Sequence, residues 1–317
     1  MSAMHASRTI PVVKGLFAGL AVAAGLAICT GQLTAATLRT AKAGTEGPAA
    51  VSIGQAGTVQ EAFSVADRPD VFLRAGATRD ALGFPVGSSR SGRHVHDAIQ
   101  GTEYDEVAEV DSTGKPIALS QFATDGRLIT AVRFDVPPAA GTGDITSDGA
   151  TKAAQRALAG AGITVAGPAR AQANAVTGGW DVRWSRTQGA YAVRGDETRV
   201  HVWQDGRVES VARVEHTLAA APSSPIARAD AGTAVSRQCD TWFTRSGSGY
   251  SLQGMDLEWV GPNSAFDAGN TVATSAPYRL AWVANVKPTG PAADSVRLVT
   301  LYVDAATGAV IGGDVVE

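Results

Sequence analysis

The sequence predicts an α+β protein in which antiparallel sheets are each covered by a helix, after an N-terminal hydrophobic segment. Two Asp-Gly pairs, at 125–126 and 205–206, lie between β-prone runs, which is the pattern of a tight hairpin turn. From Trp180 to Trp184 every second residue is apolar, as expected for a strand with one covered face. Alanines at helical spacing over residues 150–161 predict the helix that covers it.

The N-terminal segment has the pattern of an export signal. Arg8 and Lys14 precede an uncharged, largely apolar stretch over residues 15–38, and small residues follow it. The stretch is also long enough to cross a bilayer. Residues 1–43 are therefore predicted to be a signal peptide or a membrane anchor, and either would place the rest of the chain outside the cytoplasm. Residues 44–57, rich in Gly, Ala and Ser, are predicted to be a tether.

Two low-complexity stretches, at 137–143 and 220–225, divide the remaining chain into three predicted units. The first unit, 58–136, is a truncated β-rich unit, with a short helix opened by the capping box Thr58-Val59-Gln60-Glu61. The second, 145–220, and the third, 224–317, each consist of a helix, strands and a terminal hairpin.

Helix starts in the second and third units are predicted from capping signals. Thr146 or Ser147 is the expected cap of the second unit's helix, and Ser224-Pro225 begins that of the third. In the third unit one helical face carries Ala231, Ala234, Val235 and Trp242. The strand that follows alternates from Tyr278 to Val286, and the last hairpin turns between Asp304 and Gly308.

At these residues the chain resembles PepSY-like domains, including the YcdB/YcdC type and the propeptide modules of thermolysin-type proteases. The resemblance is carried by Trp180-Asp-Val-Arg-Trp184-Ser-Arg186 and by Leu301-Tyr-Val-Asp304-Ala-Ala-Thr307-Gly308-Ala-Val310, and it covers about 145–317 and, more weakly, 98–135. It implies two PepSY-like units of an extracytoplasmic protein that binds or restrains a partner, and it implies no catalytic residues. The sequence ends three residues after Asp314, so we expect no propeptide role in cis.

The charge balance argues against nucleic acid as a partner. The first 43 residues hold four basic residues and no acidic one, so the remaining 23 basic and 30 acidic residues give residues 44–317 a formal charge of −7. A phosphate backbone would be repelled by that balance in the absence of a local basic patch. Of the two cysteines, Cys29 lies in the leader and Cys239 in the body. We expect no intramolecular disulfide and a buried Cys239 thiol.

The sequence has few residues in patterns typical of catalytic or metal-binding sites. No two histidines are spaced i, i+4 as in a thermolysin-type zinc site, and no Gly-x-Ser-x-Gly motif occurs. The sequence therefore predicts no catalytic residue, no metal site and no cofactor. His94 and His96 share a strand face and, with a distant carboxylate, are the basis of an alternative hypothesis, a metal-dependent hydrolase. A purely structural envelope protein is a further alternative.

The aromatic residues divide into core and candidate surface positions. Trp180, Trp184 and Trp282 are predicted to lie in the core. Trp203, His201 and Trp259 form the candidate ligand surface, with His201 and Trp203 as a half-exposed pair on one strand face.

The leading hypothesis combines these inferences. It is an extracytoplasmic, non-catalytic binding or regulatory module, secreted or held at the membrane by its N-terminal segment. The expected partner is an envelope protein or an extracellular protease.

Overall fold

The computed structural model describes residues 51–53, 58–97, 102–138, 143–175, 178–244, 247–263 and 276–317. The described residues all lie within one compact unit, 45–317. The predicted signal peptide or anchor, 1–43, lies outside the described residues, as does most of the predicted tether, 44–57. In the part of the chain that is described, no helix has both the length and the apolar character needed to span a bilayer.

The described residues form three α-helices and fourteen β-strands. The helices are α1 (Pro69–Leu82), α2 (Ser147–Gly160) and α3 (Arg228–Phe243). The first strands are β1 (Val51–Ile53), β2 (Thr58–Phe63), β3 (Ser89–Asp97), β4 (Thr102–Val110), β5 (Pro116–Ala123) and β6 (Leu128–Arg133). After α2 come β7 (Arg170–Ala173), β8 (Trp180–Gln188), β9 (Tyr191–Val202) and β10 (Val208–Val214). After α3 come β11 (Gly249–Val260), β12 (Arg279–Thr289), a 3₁₀ helix (Gly290–Asp294), β13 (Leu298–Asp304) and β14 (Val310–Val316).

All fourteen strands belong to one sheet, and this overturns the predicted fold class. The order is β1-β2-β3-β4-β5-β6-β10-β9-β11-β12-β13-β14, with β8 also paired to β9 and β7 paired to β8. Two junctions join what the sequence predicted as separate sheets: β6 pairs antiparallel with β10, and β9 pairs parallel with β11 at Ala192 and Glu258. The tandem arrangement of separate helix-covered antiparallel sheets is therefore wrong. The predicted divisions fall between β6 and α2 and between β10 and α3, and as domain boundaries they stay predictions.

The hydrophobic core shows why the strands merge. One cluster of buried side chains extends from Val71 on α1 through Leu158 on α2 to Val211 on β10, so the first two helices share a core. At their contact a Cβ on Gly160 would lie 3.3 Å from the Cβ of Ala81, so a larger residue would push the helices apart. A second cluster packs α3 against β11, β12 and β13.

Helix α1 was not predicted, and the helix predicted at Thr58-Val59-Gln60-Glu61 is wrong. Those four residues lie in β2, where they pair with β3. Helix α1 begins a few residues later with Pro69 in its first turn and ends at Leu82, and the next residue, Gly83, caps it with a φ of 65° in the left-handed region. Its buried face includes Gly76 and Thr78, so the apolar periodicity is weak in the sequence.

Helix α2 is as predicted, and α3 begins slightly later than predicted. Thr146 is the N-cap of α2, and its hydroxyl accepts a hydrogen bond from the backbone N–H of Gly149 at 3.2 Å. In α3 the first helical residue is Arg228, and Ala231 and Val235 are buried as expected. Trp180 and Trp282 each donate their indole N–H to a backbone carbonyl just before a helix, of Ile145 at 2.8 Å and of Ile226 at 3.1 Å.

The three predicted hairpins are confirmed. β5 and β6 turn at Gly126 with a φ of 86°, and β9 and β10 turn at Gly206 with a φ of 87°. The longer turn between β13 and β14 is closed by the N–H of Asp304, which donates to the carbonyl of Ala309 at 2.8 Å. Each turn needs a residue that tolerates positive φ, and glycine supplies it.

Candidate functional site

A cleft of about 410 Å³ opens between α1, the β5–β6 hairpin, the chain just after α2, and β10. Its polar walls come from Arg74, Arg127 and Arg213 and its apolar floor from Phe122, Leu128 and Ile163. We call this the arginine cleft. Its volume lies in the range of pockets that hold small ligands or a few side chains of a partner.

The fold brings the arginines together from distant parts of the chain. Arg74 lies on α1, Arg127 follows the Asp125-Gly126 turn, and Arg213 lies on β10. The shared core holds α1 and α2 on the same face of the sheet, and the β6–β10 pairing places the turn beside β10.

Each arginine already has a carboxylate partner. Arg74 donates to Asp70 at 2.8 Å, and Arg127 donates to Asp125 at 2.7 Å and to Glu215 at 2.8 Å. Arg213 donates to the other oxygen of Glu215 at 2.5 Å. The hydrogen bond to Asp125 is the largest of the effects that raise the pKa of Arg127. The guanidinium groups are therefore charged and partly oriented by the protein itself.

Many donors of these guanidinium groups remain unused. A guanidinium has five N–H groups, whereas Arg74 and Arg213 each bond a single carboxylate among the described residues. The Nε atoms of Arg74 and Arg213 are buried and have no hydrogen-bond acceptor in the described part of the chain. A buried donor without an acceptor is costly and uncommon. The Nη1 groups of Arg74 and Arg213 also make no hydrogen bond among the described residues, and they are the donors that a further oxyanion in the cleft could use.

Gly126 determines how Arg74 lies in the cleft. Its φ of +86° is accessible to glycine, and a Cβ at this position would collide with an Nη atom of Arg74. The guanidinium therefore lies close against the turn, with its Cζ 5.9 Å from the centre of the Phe122 ring.

The sequence did not identify these arginines. Asp125-Gly126-Arg127 was recognised as a turn, and the same triplet recurs at Asp205-Gly206-Arg207. In both turns the backbone N–H and the Nε of the arginine donate to the two carboxylate oxygens of the aspartate. The Asp-Gly-Arg triplet was the available signal, whereas Arg74 and Arg213 had none.

The three predicted ligand-surface residues are buried. Trp203, His201 and Trp259 are exposed by 1%, 6% and 3%, so the half-exposed position expected for His201 and Trp203 is wrong. Trp203 has two guanidinium groups close to its rings, with the Cζ of Arg133 at 5.0 Å and that of Arg207 at 4.8 Å from ring centres. A ligand-binding role for the three residues stays a prediction.

His201 is part of a polar row across three strands. Its Nδ1 lies 2.9 Å from Asp181 on β8, and its Nε2 lies 3.3 Å from Glu209 on β10. Arg199 also donates to Asp181, at 2.6 Å. Burial raises the pKa of Asp181, but the hydrogen bonds from His201 and Arg199 outweigh it and lower the pKa to about 2.

Trp259 lies elsewhere, in a small cluster with Val193, Leu280 and Ala305. This cluster surrounds the parallel β9–β11 contact, where Trp259 is paired with Val193. Trp259 therefore packs at the contact between β9 and β11, away from His201 and Trp203.

His94 and His96, on which the alternative metal hypothesis depends, lie in different environments. Nδ1 of His94 lies 2.8 Å from Asp105, and its Nε2 lies 2.8 Å from Glu103, whereas His96 is exposed. Burial lowers the pKa of His94, but the hydrogen bonds to Asp105 and Glu103 outweigh it and raise the pKa. A raised pKa stabilises the imidazolium relative to the neutral imidazole, which is the form that binds a metal. Within the described ranges, no group of three or more His, Cys, Asp or Glu side chains is arranged to hold a metal ion.

The prediction that Cys239 is buried is confirmed. Its thiol is inaccessible in the core beneath α3, and burial raises its pKa to about 11. A thiol in this environment is a poor nucleophile.

Comparison with known proteins identifies no family. The chain matches no known family, and no curated protein matches it. Among solved structures, the Bacillus megaterium YpeB C-terminal domain aligns with 78% of this chain and 97% of that chain, at 10% identity and a TM-score of 0.39. A likeness of this extent shows neither a shared family nor a shared function, so the PepSY-like resemblance stays a prediction.

Proposed function

We propose that the protein is an extracytoplasmic, non-catalytic binding or regulatory module that contacts an envelope protein or an extracellular protease through the arginine cleft. The export pattern of residues 1–43 supports the location. The observation that carries the proposal is the cleft itself, in which three guanidinium groups surround a concave space and retain unused donors.

The cleft has the general properties of a recognition site. Interfaces are enriched in arginine and aromatic residues at their centres, and binding sites combine an apolar floor with a few directed polar groups. Phe122 and Leu128 supply the floor, and both are buried. The arginines come from three different elements, so the site exists only in the folded protein.

Site-specific photo-crosslinking tests the proposal in the cells that make the protein. A photoreactive amino acid with a small aliphatic diazirine side chain, which is too small to fill the cleft, replaces Ala77, an exposed residue on the wall of the cleft, in the full chain. The matched control places it at Arg237, an exposed position on α3. The proposal predicts an adduct with an extracytoplasmic protein from position 77 that does not form from position 237.

The captured protein is then purified and titrated with the full chain. Binding should be saturable, and the double variant Arg74→Gln/Arg213→Gln should bind at least about tenfold more weakly, which corresponds to about 1.4 kcal/mol. Equal adducts from both positions, a cytoplasmic partner, or unchanged binding by the double variant would each count against the proposal.

A further inference from the structure

We infer that the arginine cleft binds a single carboxylate attached to an apolar group, as at the C-terminus of a peptide whose last residue is apolar. This inference rests on the proposed function, because it names the chemical group that the same cleft takes.

Outside the cleft, Arg183 also has a buried Nε without an acceptor among the described residues, whereas the most buried arginines there are better satisfied. Arg133 uses Nε and both terminal nitrogens, on the carboxylate of Asp135 and on the carbonyl of Gly83. Arg79 donates to Asp80 and to Glu109, a carboxylate that is itself buried. By contrast, Arg213 is 14% exposed, its one bonded partner is Glu215, and its Nε has no acceptor among the described residues. The buried Nε atoms are closed to the cleft, so the donors that an external oxyanion could reach are the Nη1 groups of Arg74 and Arg213, since each of these arginines bonds its carboxylate through Nη2.

The charge balance favours one negative charge. The positive charges of Arg74, Arg127 and Arg213 are matched by Asp70, Asp125 and Glu215. The side chains of Asp70 and Asp125 are 66% and 56% exposed. Each can therefore give up its ion pair with a guanidinium and be hydrated instead at little cost in free energy. Glu215 is 24% exposed and stays between two arginines. It would repel a dianion more than a monoanion.

The C-terminal end of α2 also disfavours a doubly charged ligand. Gly160, the last residue of α2, lies on the cleft wall, and a helix C-terminus carries a partial negative charge. A planar carboxylate matches the paired N–H groups of a guanidinium. These features favour a carboxylate over a doubly charged phosphate.

The floor of the cleft selects an apolar neighbour for that carboxylate. Phe122 is 2% exposed and Leu128 and Ile163 are each 7% exposed, and all three line the space beside the arginines. Because these side chains are already almost fully buried, the apolar surface that they still present to the cleft is small, and an apolar group covers it at less cost than a polar group would. A volume of about 410 Å³ accommodates one aromatic or branched side chain with its carboxylate.

Calorimetric titration of the full chain with matched small probes tests the inference. N-acetylphenylalanine carries the carboxylate and the apolar ring, and its amide differs from it only in lacking the charge. We expect the acid to bind at least about tenfold more tightly than the amide, and more tightly than inorganic phosphate. The free acid Ala-Ala-Phe and octanoate distinguish a peptide terminus from a fatty acid, and we expect the peptide to bind more tightly.

Variants place the binding in the cleft. Arg213→Gln should weaken binding of the acid about tenfold, and Arg213→Lys should weaken it less, because the charge stays while the planar fork is lost. Ala77→Trp, which fills the cleft without removing a charge, should abolish binding. Arg237→Gln on α3 should leave it unchanged. Circular dichroism of each variant shows that it is folded, and should Arg213→Gln not fold, Arg213→Lys and Ala77→Trp decide the question.

Every outcome bears on the inference. Equal binding of acid and amide, tighter binding of phosphate or octanoate, or acid binding that persists in Ala77→Trp would overturn it. No acid binding together with a position-specific adduct at residue 77 would remove the carboxylate assignment and leave the proposed function standing. Binding of the acid without such an adduct would support the carboxylate assignment and count against the proposed function.

Discussion

The buried carboxylate of Asp196 accepts hydrogen bonds from both the backbone N–H and the Nδ1 of His216, 20 residues further along the chain. Arg186 donates to the same carboxylate at 2.8 Å. The imidazole of His216 stacks on the ring of Tyr278, with the ring centres 4.1 Å apart, and burial raises the pKa of Tyr278 to about 12. One carboxylate thus fastens the chain after β10 to β9, beside the start of β12.

Replacement of that carboxylate should be strongly destabilising. In Asp196→Asn the shape is kept, but the amide cannot accept from all three donors, and the guanidinium of Arg186 loses its charge partner. We expect a loss of about 3 kcal/mol in the free energy of unfolding, measured by urea denaturation. The exposed Asp256→Asn is the control and should change it by less than about 0.5 kcal/mol. A loss no larger than in the control would contradict the assigned role of Asp196.

The paired carboxylates around His94 predict a pH dependence of stability. The folded-state pKa of His94 is raised above 6.5, so its protonated form adds stability that is fully present below about pH 6.5 and is lost as the pH rises through the folded pKa. The free energy of unfolding should therefore fall more between about pH 5.5 and about pH 9 in the wild type than in His94→Gln.

His96→Gln is the matched control for this measurement, because His96 lies on the same strand and is exposed. The control should keep the pH dependence of the wild type. If His94→Gln also keeps it, the raised pKa of His94 is refuted.

The shared core predicts that α1 and α2 lose stability together. Leu158→Ala removes a side chain that is 1% exposed and should cost about 2–5 kcal/mol. Hydrogen exchange should accelerate in α1 as much as in α2, and less in α3, whose core is separate. Val235→Ala, in the α3 core, should give the opposite pattern. Protection of α1 that is unaffected by Leu158→Ala would instead indicate independent units.

Burial predicts that the thiol of Cys239 is unreactive in the native protein. With a pKa of about 11, roughly one thiol in a thousand is ionised at about pH 8. In a chain carrying Cys29→Ser, a thiol reagent should label Cys239 slowly in buffer and rapidly in denaturant. Rapid labelling in buffer would mean that the thiol is accessible.

What the sequence predicted correctly is local. The turns at Gly126 and Gly206 depend on one residue that accepts positive φ, and the start of α2 depends on one cap, Thr146. The alternation of apolar and polar residues around Trp184 can also be read from the sequence, because it repeats every two residues within a single strand. Each of these signals lies within a few residues of the structure that it specifies.

What the sequence did not predict depends on distant contacts. The merging of the sheets rests on the pairing of β6 with β10 and on a two-residue parallel contact between β9 and β11, and neither has a local signal. Helix α1 was missed because a glycine and a threonine lie on its buried face. The cleft combines Arg74, Arg127 and Arg213, which only the finished fold brings together.

The central claim is that the guanidinium groups of the arginine cleft keep donors available for an outside carboxylate. Proton–nitrogen correlation spectra of the arginine side chains, recorded during a titration with N-acetylphenylalanine, test it most directly. The account predicts that the Nε–H signals of Arg74 and Arg213 shift in a saturable manner while that of Arg237 stays in place. Signals of Arg74 and Arg213 that do not move, or that move no more than that of Arg237, would contradict it.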